Sequence, residues 1–173
     1  IKDIETFSLV ADEKALIQNG GLQTVVHIKG VDENYAGVAG IASHLYRGEY
    51  NLGNEDQPGL VFGVGVEQAL ALSSDQAISP VSVYLPNKKV TSTTDPLASL
   101  SLSLANPTGS FAIQSEFDNK YVITNLDFIR AYAGYKQDQY SAVEIKLSPN
   151  VNVEDLVETL MSLLGKSYKV EDR

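Results

Sequence analysis

Cysteine is absent from all 173 positions, which excludes disulfides, thiolate metal sites and thiol nucleophiles. The absence permits an oxidising compartment without requiring one. Histidine is scarce: His27 and His44 are the only two, and they show no His-Glu-x-x-His spacing. A zinc site would need ligands from distant parts of the chain. Basic runs are missing beyond Lys88-Lys89, and the formal net charge is −9 with a pI near 4.6. Nucleic acid is thereby excluded as a partner, because phosphates require clustered lysine and arginine. A basic patch for anionic lipid headgroups is missing as well. No apolar run approaches the roughly 18 residues that span a bilayer. The longest, 60–66, is interrupted by Gly63 and Gly65. No secretory signal pattern is present.

What is there is globular. Hydrophobic residues make up 43% of the chain and charged residues 20%, enough apolar material for a core and too little charge for a disordered chain. Strands are expected over 5–10 and 14–18, then a turn at Asn19-Gly20-Gly21, where glycine accepts positive φ, then a strand over 22–29 rich in Val25, Val26 and Ile28. Asp32 is expected to cap a short helix bearing Val38, Ile41, Ala42 and Leu45, weakened by Gly37 and Gly40. A loop over 51–59, a strand over 59–63, a helix over 66–72 and a strand over 81–85 follow. Residues 88–95 are rich in Ser and Thr. Leu100, Leu102 and Leu104 alternate with Ser99, Ser101 and Ser103 before Asn106-Pro107-Thr108-Gly109, which predicts an edge or protruding β-segment with one apolar face. Strands are expected over 111–116 and 121–124.

The last third alternates helix and strand. Thr124 and Asp127 form a capping-box-like pair ahead of a helix carrying Leu126, Ile129 and Ala133. A strand over 141–147 precedes a helix over 152–165, capped by Asn152 and ended by Gly165, with Leu156, Leu160, Leu163 and Leu164 on one stripe. That stripe should place Leu156, Leu160 and Leu163 on the sheet that holds 22–29. A final strand is expected over 168–170. The class is α+β, with a split αβ lobe of strand-helix-strand units and an inserted, smaller, mainly β lobe. The division is 1–80 for the first part of the αβ lobe, 81–124 for the inserted lobe and 125–173 for the second part.

Motifs that imitate chemistry have plainer readings. Gly63-Val64-Gly65-Val66 lies between a strand and a helix like a dinucleotide fingerprint, but Gln68 stands where the third glycine belongs. A tight strand-to-helix turn explains both glycines. Gly165-Lys166-Ser167 matches the end of a phosphate-binding loop, yet Leu160 replaces its first glycine and the tripeptide follows a helix. The acidic pairs Asp12-Glu13, Glu55-Asp56 and Glu171-Asp172 are adjacent, and neighbours on a strand face opposite sides, so they make poor acid-base dyads. No serine lies in Gly-x-Ser-x-Gly. No catalytic residue, cofactor site or metal site is expected.

The run Val25-Val26-His27-Ile28-Lys29-Gly30-Val31-Asp32 closes a strand on Gly-Val-Asp. Leu45-Tyr46-Arg47-Gly48, Gly59-Leu60-Val61-Phe62-Gly63, the short helix after it, Ser74-Asp75 and Val81-Ser82-Val83-Tyr84-Leu85-Pro86 follow in order. This succession resembles the extracytoplasmic domain of FtsX-like, macrolide-exporter-type ABC transporter permeases, with a strong likeness to the lipoprotein-releasing permease. Ser74 departs from the family's glycine before Asp75. The resemblance implies a domain inserted between two membrane helices, on the periplasmic side of the bacterial inner membrane, so both ends should lie on one side. The chain, opening on Ile1, then reads as an excised piece of a longer protein. It implies no enzyme activity in this chain, with ATP hydrolysed by a cytoplasmic ATPase subunit, and a partner permease beside it. It further implies lipoprotein cargo and a periplasmic lipoprotein carrier. The carrier-binding hook of that branch could correspond to 95–109, which makes Leu100, Leu102, Leu104, Asn106 and Pro107 candidate partner-binding residues. An ordinary hairpin with its leucines packed inside is the other reading. A mechanical relay acting on a different periplasmic partner is the alternative function.

Overall fold

The structure, a computed structural model, describes residues 3–90 and 99–172. The fold is mixed α+β, as expected. Its first strand, β1 (Ile4–Asn19), runs unbroken for 16 residues where two short strands were expected. Gly20, at φ +57°, turns it back into β2 (Leu22–Val31), and the two pair from Asn19↔Leu22 to Val10↔Val31. The remaining strands are β3 (Leu45–Gly48), β4 (Gly59–Gly63), β5 (Val81–Pro86), β6 (Leu100–Phe111), β7 (Tyr121–Asn125) and β8 (Ala142–Leu147). All eight belong to one sheet.

The pairings form a closed circuit. β2 runs parallel to β7, β7 antiparallel to β4, β4 parallel to β6, β6 antiparallel to β5, and β5 antiparallel to β1, which returns to β2. β3 lies against the last residues of β6, and β8 extends the first half of β1 as a two-stranded ribbon. Closure gives each strand of the circuit a partner on both edges along part of its length, which shortens the open edges in the body of the fold.

Helices α1 (Tyr35–Ala39), α2 (Val64–Ala69), α3 (Ser115–Asp118), α4 (Leu126–Ala133) and α5 (Val153–Leu164) complete the structure. The inner face of the circuit carries Ala15, Ile17, Val26, Ile28, Leu60 and Phe62, all buried, and α4 fills it with Phe128, Ile129 and Ala133. Close approach is set by Gly30: a Cβ there would lie 2.5 Å from Ile129 Cγ1. A second cluster on the opposite face unites Val10, Val31, Tyr35, Val61, Phe111 and Ile123.

Several local expectations need correction. Asn34, not Asp32, precedes α1, and Gly40 at φ +65° ends it before a 3-10 turn over Ile41–His44. The Asp32 carboxylate instead accepts from Ser8 Oγ (2.7 Å) and from the amides of Leu9 (2.8 Å) and Asn34 (3.1 Å). The strand expected over 111–116 stops at Phe111, and α3 takes up Ser115 onward. Asn125 caps α4 by accepting from Phe128 N, while Thr124 is wholly buried in β7. No strand forms over 168–170. Asn152 and Gly165 do bound α5, but of its stripe only Leu156 is buried. Leu160 is half-buried, Leu163 is 69% exposed and Leu164 is exposed too, so burial fades toward the end of the helix.

Candidate docking face

The alternation of leucine and serine in β6 is real, but its sides are the reverse of a simple core strand. Val81, Val83 and Leu85 of β5 are fully buried and lie opposite Ala105, Ser103 and Ser101. The serines therefore face inward. Leu100, Leu102 and Leu104 face outward: Leu100 is half-buried, and Leu102 and Leu104 are exposed. Further along, the register shifts between Leu60↔Pro107 and Val61↔Gly109, so Thr108 sits in a bulge and the faces exchange. Past it, Phe111 packs into the outer cluster. Asn106 is exposed and opposite Gly59, whereas Pro107 is buried opposite Leu60.

β6 is held on both edges only along its second half, by β4 and β3; its leucine-bearing first half pairs with β5 alone among the described residues, so it is an edge segment, as expected, laid along β5. The structure brings Leu100, Leu102 and Leu104 together on one outward face and leaves Pro107 out of it. Residues 91–98, which include the start of the expected hook, lie outside the described residues.

Pairing extends the leucine strip across four strands. Residues directly opposite one another in a sheet share a face. Val25 is opposite Leu16, Leu16 opposite Tyr84, and Tyr84 opposite Leu102, which makes one apolar row from β2 to β6. The next row is Gln23, Gln18, Ser82 and Leu104. On the other flank lie Lys14 and His27. Sequence reading missed this row because three of its four members lie on strands whose register no local pattern reveals.

Beyond Lys14 and His27, the outer face is covered. Lys29, 3% exposed, points its Nζ 2.6 Å from Glu144 Oε1 and 5.4–5.7 Å from the ring centres of Tyr35, Phe117 and Tyr121. Phe117 stacks on Tyr121 at 4.2 Å. The cage thus ties β8 to the body through a buried ammonium. Burial first, and Glu144 second, raise the Tyr35 hydroxyl well above the ordinary tyrosine range. Burial, with Asp32 nearby, pushes Tyr50 up to about 12.

A shallow cleft of about 370 Å³ lies between Gly48, Glu49, Asn51, Ser74, Asp75 and Thr108. Its Ser74 wall is held by Glu67, whose Oε1 accepts from Ser74 N and Ser74 Oγ at 2.8 Å each, with Arg47 Nε 3.8 Å from Oε2. Glu67 is thereby satisfied as the clasp of the 73–75 loop. His27 Nδ1 lies 3.1 Å from Asp12 Oδ1, and His44 Nδ1 lies 3.1 Å from Gly40 O. Among the described residues, no three potential ligands converge on a metal position. The glycines at 63 and 65 have a packing reason: added Cβ atoms would meet Asp118 O at 2.2 Å and Asn119 Oδ1 at 1.8 Å.

With that geometry in hand, the fold can be compared with known ones. No family model matches the chain, and no curated protein matches it in sequence. Solved structures do match. The periplasmic region of MacB from Actinobacillus actinomycetemcomitans superposes with a TM-score of 0.57 at 15% identity, covering 95% of this chain and 67% of that one. The extracellular domain of the noncanonic ABC-type transporter YknZ from Gram-positive bacteria gives a TM-score of 0.57 at 10% identity, covering 92% and 71%. The likeness is one of fold, and the chain spans about two thirds of each neighbour. No helix among the described residues is long and apolar enough to cross a membrane.

Proposed function

We propose that this chain is the extracytoplasmic domain of an ABC-type permease. The observation that carries the reading is the shared fold over nearly the whole chain with two such transporter domains, one periplasmic and one extracellular. Both neighbours are transporter domains, so the chemistry expected of this chain is binding and movement, with ATP hydrolysed by a cytoplasmic subunit coupled through membrane helices. Under this reading 81–124 is an insertion between two halves of an αβ lobe. The pairing of β8 with β1 supports it, since strands from before and after the insertion then share one ribbon, with Ile4 opposite Leu147.

Within that role, the domain serves release of lipoproteins from the inner membrane to a periplasmic carrier, with a partner permease beside it. Leu100, Leu102, Leu104 and Asn106 supply an outward strip for the carrier. A relay acting on another periplasmic partner is the second reading. It is favoured by the pairing of Leu100, Leu102 and Leu104 with β5, through which they move with the whole body. The test is transfer of a lipidated substrate from proteoliposomes holding the full-length protein and its ATPase to purified carrier. Release reduced at least tenfold by Leu102→Asp, with ATPase rate unchanged, supports lipoprotein hand-over. ATP-dependent movement without any transfer supports the relay. Absence of a co-purifying ATPase overturns both.

A further inference from the structure

Two apolar faces stand uncovered among the described residues. One is the sheet row Val25–Leu16–Tyr84–Leu102, with Leu104 beside it; Val25 is 66% exposed and Leu102 54%. The other is the outer part of α5, where Leu163, Leu164 and Met161 are exposed and Leu160 is half-buried. A sheet face and a helix stripe each demand a covering layer, and a helix laid on a sheet is a standard way to supply both. We propose that copies of this chain associate head to tail, with α5 of one copy lying on the outward face of β2, β1, β5 and β6 of the next.

Two features point to a second copy as the occupant. First, the dimensions agree. The four strands span about 14 Å from the first axis to the last, and the projecting part of α5 past Leu156 is about 12 Å long. Second, charge permits it. The chain is at −9, yet the rows between Lys14 and Leu104 hold no carboxylate, and the stripe Leu160–Leu163–Leu164 holds none. Glu154, Asp155 and Glu158 stand on the other sides of the helix at 100° per residue. Contact through these two faces therefore brings two acidic molecules together without opposing their acids. The area sets the strength. Four strands by about four residues is on the order of 270 Å², a third of the roughly 800 Å² per partner in a stable complex. The contact is weak in solution and becomes significant where copies are concentrated, as on a membrane.

Because the two faces differ, the contact is heterologous: each copy offers a helix and a sheet face. That makes it testable by complementation. Leu102→Asp removes the sheet face and keeps α5; Leu163→Asp removes α5 and keeps the sheet face. Both sites are exposed, so both variants should melt within about 2 °C of the parent, and Leu104→Lys replaces Leu102→Asp if it does not. The readout is amide chemical shift at about 1 mM protein, with no carrier and no ATPase, so the outcome does not depend on the transport reading. Labelled Leu163→Asp mixed with unlabelled Leu102→Asp should shift at Leu16, Val25 and Tyr84. The reverse labelling should shift residues of α5. Each variant mixed with itself should show at least tenfold smaller changes. No shifts in either mixture, or self-association of Leu163→Asp through its sheet face, overturns the proposal. The same strip is the one assigned to a carrier, so carrier and copy would compete for it.

Discussion

The buried ion pair gives the sharpest stability test. Lys29 Nζ lies 2.6 Å from Glu144 Oε1, inside a cage of Tyr35, Phe117 and Tyr121. Glu144 keeps 27% exposure, so water reaches the carboxylate but hardly the ammonium. Removing one member of a buried pair costs about 3–5 kcal/mol, because the other charge is left without compensation. The partial exposure of Glu144 lowers that figure, so Glu144→Gln should cost about 2–3 kcal/mol. Lys29→Met leaves a hydrated carboxylate and fills the cage with a thioether that suits aromatic edges, so it should lie within about 1 kcal/mol of the parent. The double variant should resemble Lys29→Met. Urea denaturation measures this: with m-values of about 1–3 kcal/mol per molar, Glu144→Gln should lower the midpoint by about 1 M at unchanged slope. If Lys29→Met is as damaging as Glu144→Gln, or the double variant as damaging as the Glu144→Gln single, the stranded-ammonium argument is wrong.

Three further outcomes follow from the packing. Tyr50 ionises near 10 when unfolded and at about 12 when folded, so the unfolded chain sheds its proton first; stability present below pH 10 should fall between pH 10 and 12. Tyr50→Phe, which removes a buried hydroxyl with no partner among the described residues, should flatten that loss in melting curves while Tyr35 retains part of it. Gly30→Ala should cost about 1–3 kcal/mol by pressing Cβ into Ile129, and combined with Ile129→Ala, which removes the Cγ1 it would meet, it should cost less than the sum of the two single substitutions by denaturant titration. Leu156→Ala should cost about 2–3 kcal/mol, near the low end for a buried leucine, whereas Leu163→Ala should stay within about 0.5 kcal/mol.

Local signals were legible where local physics decides. The run Gly59–Gly63 is a strand with every residue buried, and Asn152 caps α5 through amides two and three residues ahead. Asn152 and Gly165 were readable because both act within one turn. The cap of α4 shifted from Thr124 to Asn125 because β7 stays paired to β2 through Asn125↔Val31, so the helix starts one residue later. Its side chain also reaches Leu52 O and Asn54 O, contacts 73 and 71 residues away. The leucines of β6 illustrate the larger limit. Alternation shows that they share a side, but which side faces water is set by pairing with β5 and β1. The bulge at Thr108 then exchanges the sides again. The stripe of α5 predicted burial for Leu160 and Leu163 as for Leu156, since periodicity cannot tell how much of a helix its body covers. The resemblance to transporter domains rested on the order of short motifs, and the fold comparison bears out the fold and no finer specificity.

The central claim is that this domain lies outside the cytoplasm as part of a transporter. The absence of cysteine from the chain makes one measurement direct. Ile78 is 99% exposed, in a loop between α2 and β5. Ile78→Cys in the full-length protein, expressed in intact cells and treated with a membrane-impermeant maleimide, should label without lysis, and the unsubstituted protein should give the background at this domain. Labelling that appears only after the cells are opened would place the domain inside and contradict the account.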